Sequence, residues 1–579
     1  MDRIFIFFIF LSLYTMGHSQ CIIPFENDST TTTTYQECIS FYKCMAEEFP
    51  ELIFIQEVGM SDVELPIYEV VIGKESKIPE EVRKQKKVVS MIINGIHPGE
   101  PDGVDASMLL TKKLLTDKEY SNLLDHQTIV IIPLYNVGGS LRRNNYTRAN
   151  QNGPREYGFR GNIQNLDLNR DFIKCDSWNA ISFTVLFQYW NPEIFIDTHT
   201  SDGADYPYTF SLISSQRDKL SPPLADLLYT KMLPALQMMM SQKKDTIVPY
   251  VNVKDIPENG IVDFLESPRY SNGYAGLFHS ISFLPETHML KPFPKRVHAT
   301  NHFLEAVLQY NSRHFDEIIQ AKKFAIQYTS SLRDYTLDWK LDETRQDSID
   351  FTVHPAYSYL SPVTQLNMWK YDRTKTIQKK IPFFNKYVSA TQVKVPEFYI
   401  LPQAYFEIVQ LLMWNKIKFD RLEQDTCLEL FQYKIIDMKT TSDAYENHYL
   451  HSDVQLSLIK RRQCFFKGDL LIPTDQFAKR YVIETLEPQA PDSYFAWNFF
   501  DGILQRKEYF SDYVFEEKAK ELLTNDKNLE REFRKKQEED PSFRSSNWQQ
   551  LYWIYQRSNL AEPDFRIYPV GLIFSSEKK

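Results

Sequence analysis

Between residues 36 and 310, short apolar runs alternate with stretches of helical periodicity, and this alternation restricts the fold more than any other feature of the chain. The runs at 88–93, 128–134, 194–197 and 281–284 have the length and composition of buried strands. Residues 105–116, 178–187 and 223–240 read as helices. Continuous apolar strands separated by helices predict an α/β domain, with a mixed, largely parallel sheet covered by helices on both faces. Ligand sites in such sheets lie outside the carboxyl ends of the strands. His97, His199 and Glu286 each closely follow one of these runs.

Beyond about residue 340 the texture changes. Segments 351–359, 387–395 and 454–471 read as strands, 402–416 as a helix, and 515–560 as charged and helix-rich. Residues 340–579 are therefore expected to form an appended α+β region, of roughly one domain's size and without a legible role. A chain of 579 residues exceeds one hydrophobic core, so a division is expected on size alone.

A net charge of −10 leaves no basic excess to neutralise phosphates, so nucleic acid is not an expected partner. The basic cluster 83–87 reads as a solvated face leading into the first strand. At the N-terminus, Arg3 precedes an apolar run from Ile4 to Tyr14, and Gly17 and Ser19 precede a cut before Gln20. Residues 1–19 thus read as a signal peptide, too short for a stable membrane span, and the mature protein is expected to be periplasmic or extracellular. The threonine run within 20–35 reads as a flexible lead-in. Six cysteines permit a pair Cys427–Cys464 or Cys38–Cys44, or buried free thiols.

The chemistry-bearing residues fall into four groups. His97-Pro98-Gly99-Glu100 places an imidazole and a carboxylate around a tight turn just past the run 88–93. Alone, such a tetrapeptide is more often an ordinary loop. His199, at the end of the run 194–197, adds a second imidazole; by itself it would be a polar residue closing a strand. Two imidazoles and one carboxylate can hold a zinc ion and leave one coordination position open. Glu286 ends the fourth run and is placed to accept a proton and return it to a leaving amine, although a lone acid there is usually a surface group. The loop 159–172 contains Arg160 and Arg170, ten residues apart. Guanidinium groups grip carboxylates bidentately and stabilise oxyanions, whereas an isolated arginine pair is usually solvated.

Together these residues resemble the zinc metallocarboxypeptidase family over about residues 36–310. The family's His-x-x-Glu is matched by His97-Pro98-Gly99-Glu100, and its Asp-Leu-Asn-Arg-x-Phe by Asp167 to Phe172. Its distant histidine fits His199 and its catalytic glutamate fits Glu286. Carboxypeptidase A is itself a standard example of the two-His, one-Glu zinc site, so this ligand assignment follows from the resemblance. The resemblance implies an α/β/α catalytic domain with one Zn2+ on His97, Glu100 and His199, and Glu286 as general base and acid. It further implies that Asn169 and Arg170 grip a terminal carboxylate and that Arg160 stabilises the transition state, with Arg148 as the second candidate. Tyr270, with Tyr274 as alternative, is the match to the family's mobile tyrosine. The chain departs from the digestive branch at Thr287-His288 and is more similar to secreted bacterial members with a long C-terminal extension.

The expected activity is that of a secreted zinc-dependent carboxypeptidase, a metalloprotease hydrolysing the C-terminal bond of peptides or proteins. Two alternatives use the same residues: a zinc amidohydrolase acting on acylated amino acids or cell-wall peptides, and an inactive peptidase-like binding protein. The oligomeric state and the preferred C-terminal residue are not encoded in any motif found here.

Overall fold

A computed structural model describes residues 21–74 and 77–575; the expected signal peptide at 1–19 lies outside the described residues. The chain divides into two compact units. The first runs through Tyr328 and takes in Leu341–Val388; the second combines Thr329–Lys340 with Ser389–Lys579.

The first unit is built on a mixed sheet. Its strands are β1 (Ile53–Met60), β2 (Pro66–Ile72), β3 (Val88–Ile93), β4 (Gln127–Ile132), β5 (Ile194–Asp197), β6 (His199–Ser201), β7 (Phe210–Ser214) and β8 (Val248–Pro249). After β9 (Ile261–Val262), which lies in another sheet, β10 (Ile281–His288) completes it. The strand order is β1-β2-β4-β3-β5-β10-β7-β8, with β6 also pairing β10. The centre β4-β3-β5-β10 is parallel, and antiparallel partners flank it on either side. Every residue of β3 and β4 is buried, as expected for strands covered on both faces.

One face of the sheet presents Val88, Ile92, Ile129, Ile131, Ile194 and Ile196 to the main core, which includes residues of the helices Tyr35–Glu48, Asp102–Thr116 and Phe293–Ser331. On the other face Phe195 packs against Phe183 and Phe187 of the helix Trp178–Trp190, and Tyr274 of the helix Ser271–Leu277 joins that aromatic cluster. The expected α/β fold is observed, with the edge hairpin β1–β2 added. The helix expected at 223–240 is continuous over 222–242 through a π-helical stretch Leu227–Met232.

Four sequence expectations are corrected here. The lead-in over 20–35 is built into the domain: Thr32 and Thr33 are buried and their side chain and amide reach Asp105. Thr34 caps the first long helix, exchanging bonds with Glu37. The basic cluster 83–87 is not wholly solvated, because Arg83 binds Glu193 and the carbonyls of Trp190 and Asn191, and Lys87 is buried. Nor is 88–93 the first strand. The boundary expected at 340 also moves: residues 341–388 belong to the first unit. In that segment β12 (Asp347–Val353) pairs β15 (Ile377–Phe384), which takes β9 on its other edge, and β13 (Ala356–Leu360) pairs β14 (Asn367–Tyr371) as a hairpin. The strand β11 (Asp334–Leu341) precedes them and pairs β16 (Tyr387–Lys394).

The second unit holds a six-stranded antiparallel sheet of β17 (Phe398–Leu401), β18 (Asp420–Arg421), β19 (Thr426–Thr440), β20 (His451–Phe465), β21 (Leu470–Pro473) and β22 (Gly571–Ile573). Helices between Asp512 and Tyr555 gather around a small core of their own containing Phe515, Phe533 and Trp553. The α+β reading of this region agrees with the structure. The Cys427–Cys464 disulfide joins opposite residues of β19 and β20. Cys44, however, pairs with Cys21, while Cys38 and Cys175 are buried free thiols. Cys38 and Cys44 both lie in the helix Tyr35–Glu48, and a separation of six residues turns them to different faces.

Candidate metal centre and active site

The site forms where the parallel strands end. Past β3 the chain turns at His97–Glu100, the amide of Glu100 donating to the carbonyl of His97 at 2.8 Å. Gly99 is required there: a Cβ would stand 2.8 Å from Cδ of Arg148 and 3.1 Å from the carbonyl of Gly158. Gly103 is equally constrained, since a Cβ would overlap Thr198 at 1.9 Å, so the start of the helix Asp102–Thr116 lies directly against the β5–β6 junction. Beyond that junction, His199 on β6 and Glu286 on β10 are paired in register.

His97, Glu100 and His199 are all buried, and their ligand atoms lie within 4.8 Å of one another. Glu100 Oε1 is 3.3 Å from His97 Nδ1, and Glu100 Oε2 is 3.1 Å from His199 Nδ1. Each ring turns its other nitrogen to an aspartate: His97 Nε2 is 2.9 Å from Asp167, and His199 Nε2 is 2.8 Å from Asp197. A carboxylate on Nε2 fixes the proton there and leaves the Nδ1 lone pair directed at the centre. Buried His97 Nδ1 has no hydrogen-bond partner, which is costly unless a cation occupies the centre. Two imidazole lone pairs and one carboxylate are a donor set that suits zinc.

Burial alone would raise Glu100 and Asp167. The charge of His97, with Arg148 for Glu100 and with Arg160 and Arg170 for Asp167, holds both carboxyls well below their usual range. Burial also raises Glu286, and the Glu100 and Asp197 carboxylates add to that against His199 and Arg160. His199 is pushed the other way: burial lowers it, but Asp197 and Glu100 raise it well above the ordinary imidazole value.

The residues given a metal-binding, catalytic or substrate-binding role from sequence, apart from the alternative Tyr274, meet in one cavity of about 320 Å³, lined by His97, Glu100, Arg148, Arg160, Asn169, Arg170, His199, Tyr270 and Glu286. The two candidate arginines differ in restraint. Arg148, 14% exposed, is tied to Gln151, Glu100 and the carbonyl of Thr200. Arg160, 45% exposed, binds Asp167 and reaches Glu100 at 3.3 Å. Asn169 accepts from the amide of Ser271, and the Arg170 guanidinium lies 4.5 Å over the Tyr270 ring. Tyr274 is fully buried in the aromatic cluster and binds Gln188, so it is not a cavity residue. His288 bonds the carbonyl of Ala204 and takes no part in the centre.

Sequence reasoning gave no role to Asp167, Asp197 or Asp102. The first two orient the histidines. Asp102 Oδ2 accepts from Thr200, Thr287 and Arg296, so one buried carboxylate holds the residues next to both His199 and Glu286. The signals were present, in an aspartate two residues before His199 and another inside the Asn-Arg motif.

Residues 38–253 match the family model described as zinc carboxypeptidase, a family of enzymes that uses a single zinc ion. Among solved structures, the chain is similar to carboxypeptidase A from Helicoverpa armigera at 15% identity, covering 52% of this chain and 75% of that one with a TM-score of 0.38. A metallo-carboxypeptidase from Burkholderia cenocepacia is similar at 16% identity, with 48% and 69% covered and a TM-score of 0.35. Bovine thrombin-activatable fibrinolysis inhibitor, in complex with tick carboxypeptidase inhibitor, is similar at 15% identity, with 50% and 98% covered and a TM-score of 0.36. Comparison with curated proteins gives no significant match.

Proposed function

We propose, starting from the match of residues 38–253 to the zinc carboxypeptidase family model, that the protein removes the C-terminal residue of exported or extracellular peptides. The observation that carries this reading is the convergence of a three-ligand metal centre, a carboxylate in register with one ligand, and three arginines in a single cavity. His97, Glu100 and His199 hold the zinc. When bound, it supplies Lewis acidity that eases loss of a proton from water and polarises the scissile carbonyl.

The chain's own groups complete the reaction. Glu286 accepts the proton of the attacking water and passes it to the departing amine; its raised affinity for protons suits both halves of that transfer. Arg170 and Asn169 bind the substrate's free carboxylate, with the Tyr270 ring beneath the guanidinium. Arg160, the less restrained arginine, stabilises the developing oxyanion, and Arg148 keeps Glu100 oriented.

Export is supported by the signal-like N-terminus and by two disulfides, which persist in oxidising compartments. No helix among the described residues is long and apolar enough to cross a membrane.

A matched set of peptides with free and amidated C-termini, run beside acylated amino acids and cell-wall fragments, tests the reading. Release of a C-terminal amino acid from the free peptides alone is expected. Turnover confined to acylated amino acids or wall fragments would favour the amidohydrolase reading, and zinc binding without turnover the inactive one.

A further inference from the structure

The segment 341–388 lies outside the part of the chain that matches the family model, yet it bonds the backbone next to Phe264, a residue that lines the active-site cavity. Part of that cavity's lining is apolar: Ile213, Tyr250, Phe264 and Leu284 contribute to it, and Tyr270 links Phe264 to the Arg170 guanidinium. Phe264 is the hub of this apolar wall, with ring centroids 5.4 Å from Tyr270 and 6.3 Å from Tyr250.

The backbone that carries Phe264 is held by the added strands. β9, which immediately precedes it, pairs in parallel with Phe383 and Phe384 of β15. The amide of Asp263 donates to the carbonyl of Phe384 at 2.9 Å. The hydroxyl of Tyr387 donates to the carbonyl of Asp263 at 2.7 Å, and the amide of Tyr387 donates to Asp218 at 2.7 Å. Gly260, at φ +114°, lets the chain enter β9 against the Phe384 ring, where a Cβ would stand 2.7 Å from the ring edge. Behind the wall lies a second cavity, of about 530 Å³, lined in part by Asp263, Phe383 and Asn385. With open space on both sides, the Asp263–Phe264 segment depends on these bonds for its position.

Building on the carboxypeptidase reading, we propose that Tyr387 is a positioning residue that sets the place of Phe264, and that the resulting wall selects substrates ending in a bulky apolar side chain. A substrate whose carboxylate is gripped at Arg170 has its terminal side chain beside this wall. Burying an apolar side chain there adds binding that a lysine or glutamate side chain cannot obtain without loss of hydration. Asp202, which also lines the cavity, is exposed to solvent.

The test uses the full-length zinc enzyme on blocked dipeptides ending in Phe, Lys and Glu. The parent should prefer Phe. Tyr387→Phe removes a single hydroxyl and should raise KM for the Phe substrate about three- to tenfold, the effect expected of one lost hydrogen bond, with kcat changed less than about twofold. Phe264→Ala should raise the same KM further and erase the preference for Phe over Lys. Calorimetric binding of N-acetyl-phenylalanine gives a second readout that does not need turnover, and its affinity should fall in both variants. Unchanged KM, binding and preference in Phe264→Ala would overturn the wall, and unchanged values in Tyr387→Phe alone would overturn the latch. Equal losses on every substrate accompanied by loss of zinc would also overturn the proposal, by showing a general structural role. A parent that binds zinc and N-acetyl-phenylalanine but cleaves nothing would refute the carboxypeptidase reading, while the binding comparison would still decide this one.

Discussion

At the residue scale, the metal centre rests on aspartates as much as on its ligands. Asp167 accepts from His97 while its other oxygen takes Arg160, and it also caps the turn that carries Asn169 and Arg170. Asp167→Asn keeps the shape but removes the charge that favours the Nε2 proton on His97. Zinc affinity, measured by competition with a chromophoric chelator, should fall about 10- to 100-fold. An unchanged affinity would show that His97 is oriented by packing alone. His97, Glu100, His199 and Glu286 were legible because each follows an apolar run that had to be a strand. Asp102 was not, because its partners Thr200, Thr287 and Arg296 converge on it only after three separate elements pack. Tyr270 and Tyr274 were indistinguishable by type, and burial against Phe172 and Phe187 separates them.

At the scale of elements, the helix Asp102–Thr116 is the site's main support, and two buried acids tie it down. Asp102 and Arg296 form a fully buried pair at 2.9 Å that joins this helix to Phe293–Ser331. Asp102→Ala leaves a buried guanidinium short of its counter-charge, and urea unfolding should show a loss of about 3–5 kcal/mol. Asp105 receives Thr32 and Thr33 from the segment expected to be flexible. Burial, with some help from Asp102, raises its carboxyl to about 7, against 3.8 for the ordinary group. The folded chain therefore keeps a proton between those values that the unfolded chain has released. Stability falls as pH rises through that window and is level above it, by on the order of 4 kcal/mol for this group. Relative to the parent, Asp105→Asn should gain stability between pH 5 and pH 8 in urea titrations; a constant difference would contradict the shift. The threonine run misled because its composition is that of a linker, while its hydrogen-bonding capacity is satisfied by a buried acid more than seventy residues away. The strands β1 and β2 escaped notice because β1 is an edge strand, mostly part-exposed and without a continuous apolar run.

At the scale of the whole molecule, one chain joins a mixed sheet, most of whose strands lie within the family match, to strands beyond that match. The α/β class could be read from alternation alone, since strands buried on both faces admit few other arrangements. The division could not: residues 341–388 look like the start of a new domain in sequence, and only the pairing of β15 with β9 assigns them to the catalytic unit. In the proposed reaction His97, Glu100 and His199 hold one zinc while Glu286 moves the proton. The most direct measurement is zinc content by mass spectrometry together with release of the C-terminal residue, for the full chain and for Glu286→Gln. One zinc per chain is expected in both proteins, with turnover lower by about a thousandfold or more in the variant. Full turnover in Glu286→Gln, or turnover in a parent that holds no zinc, would contradict it.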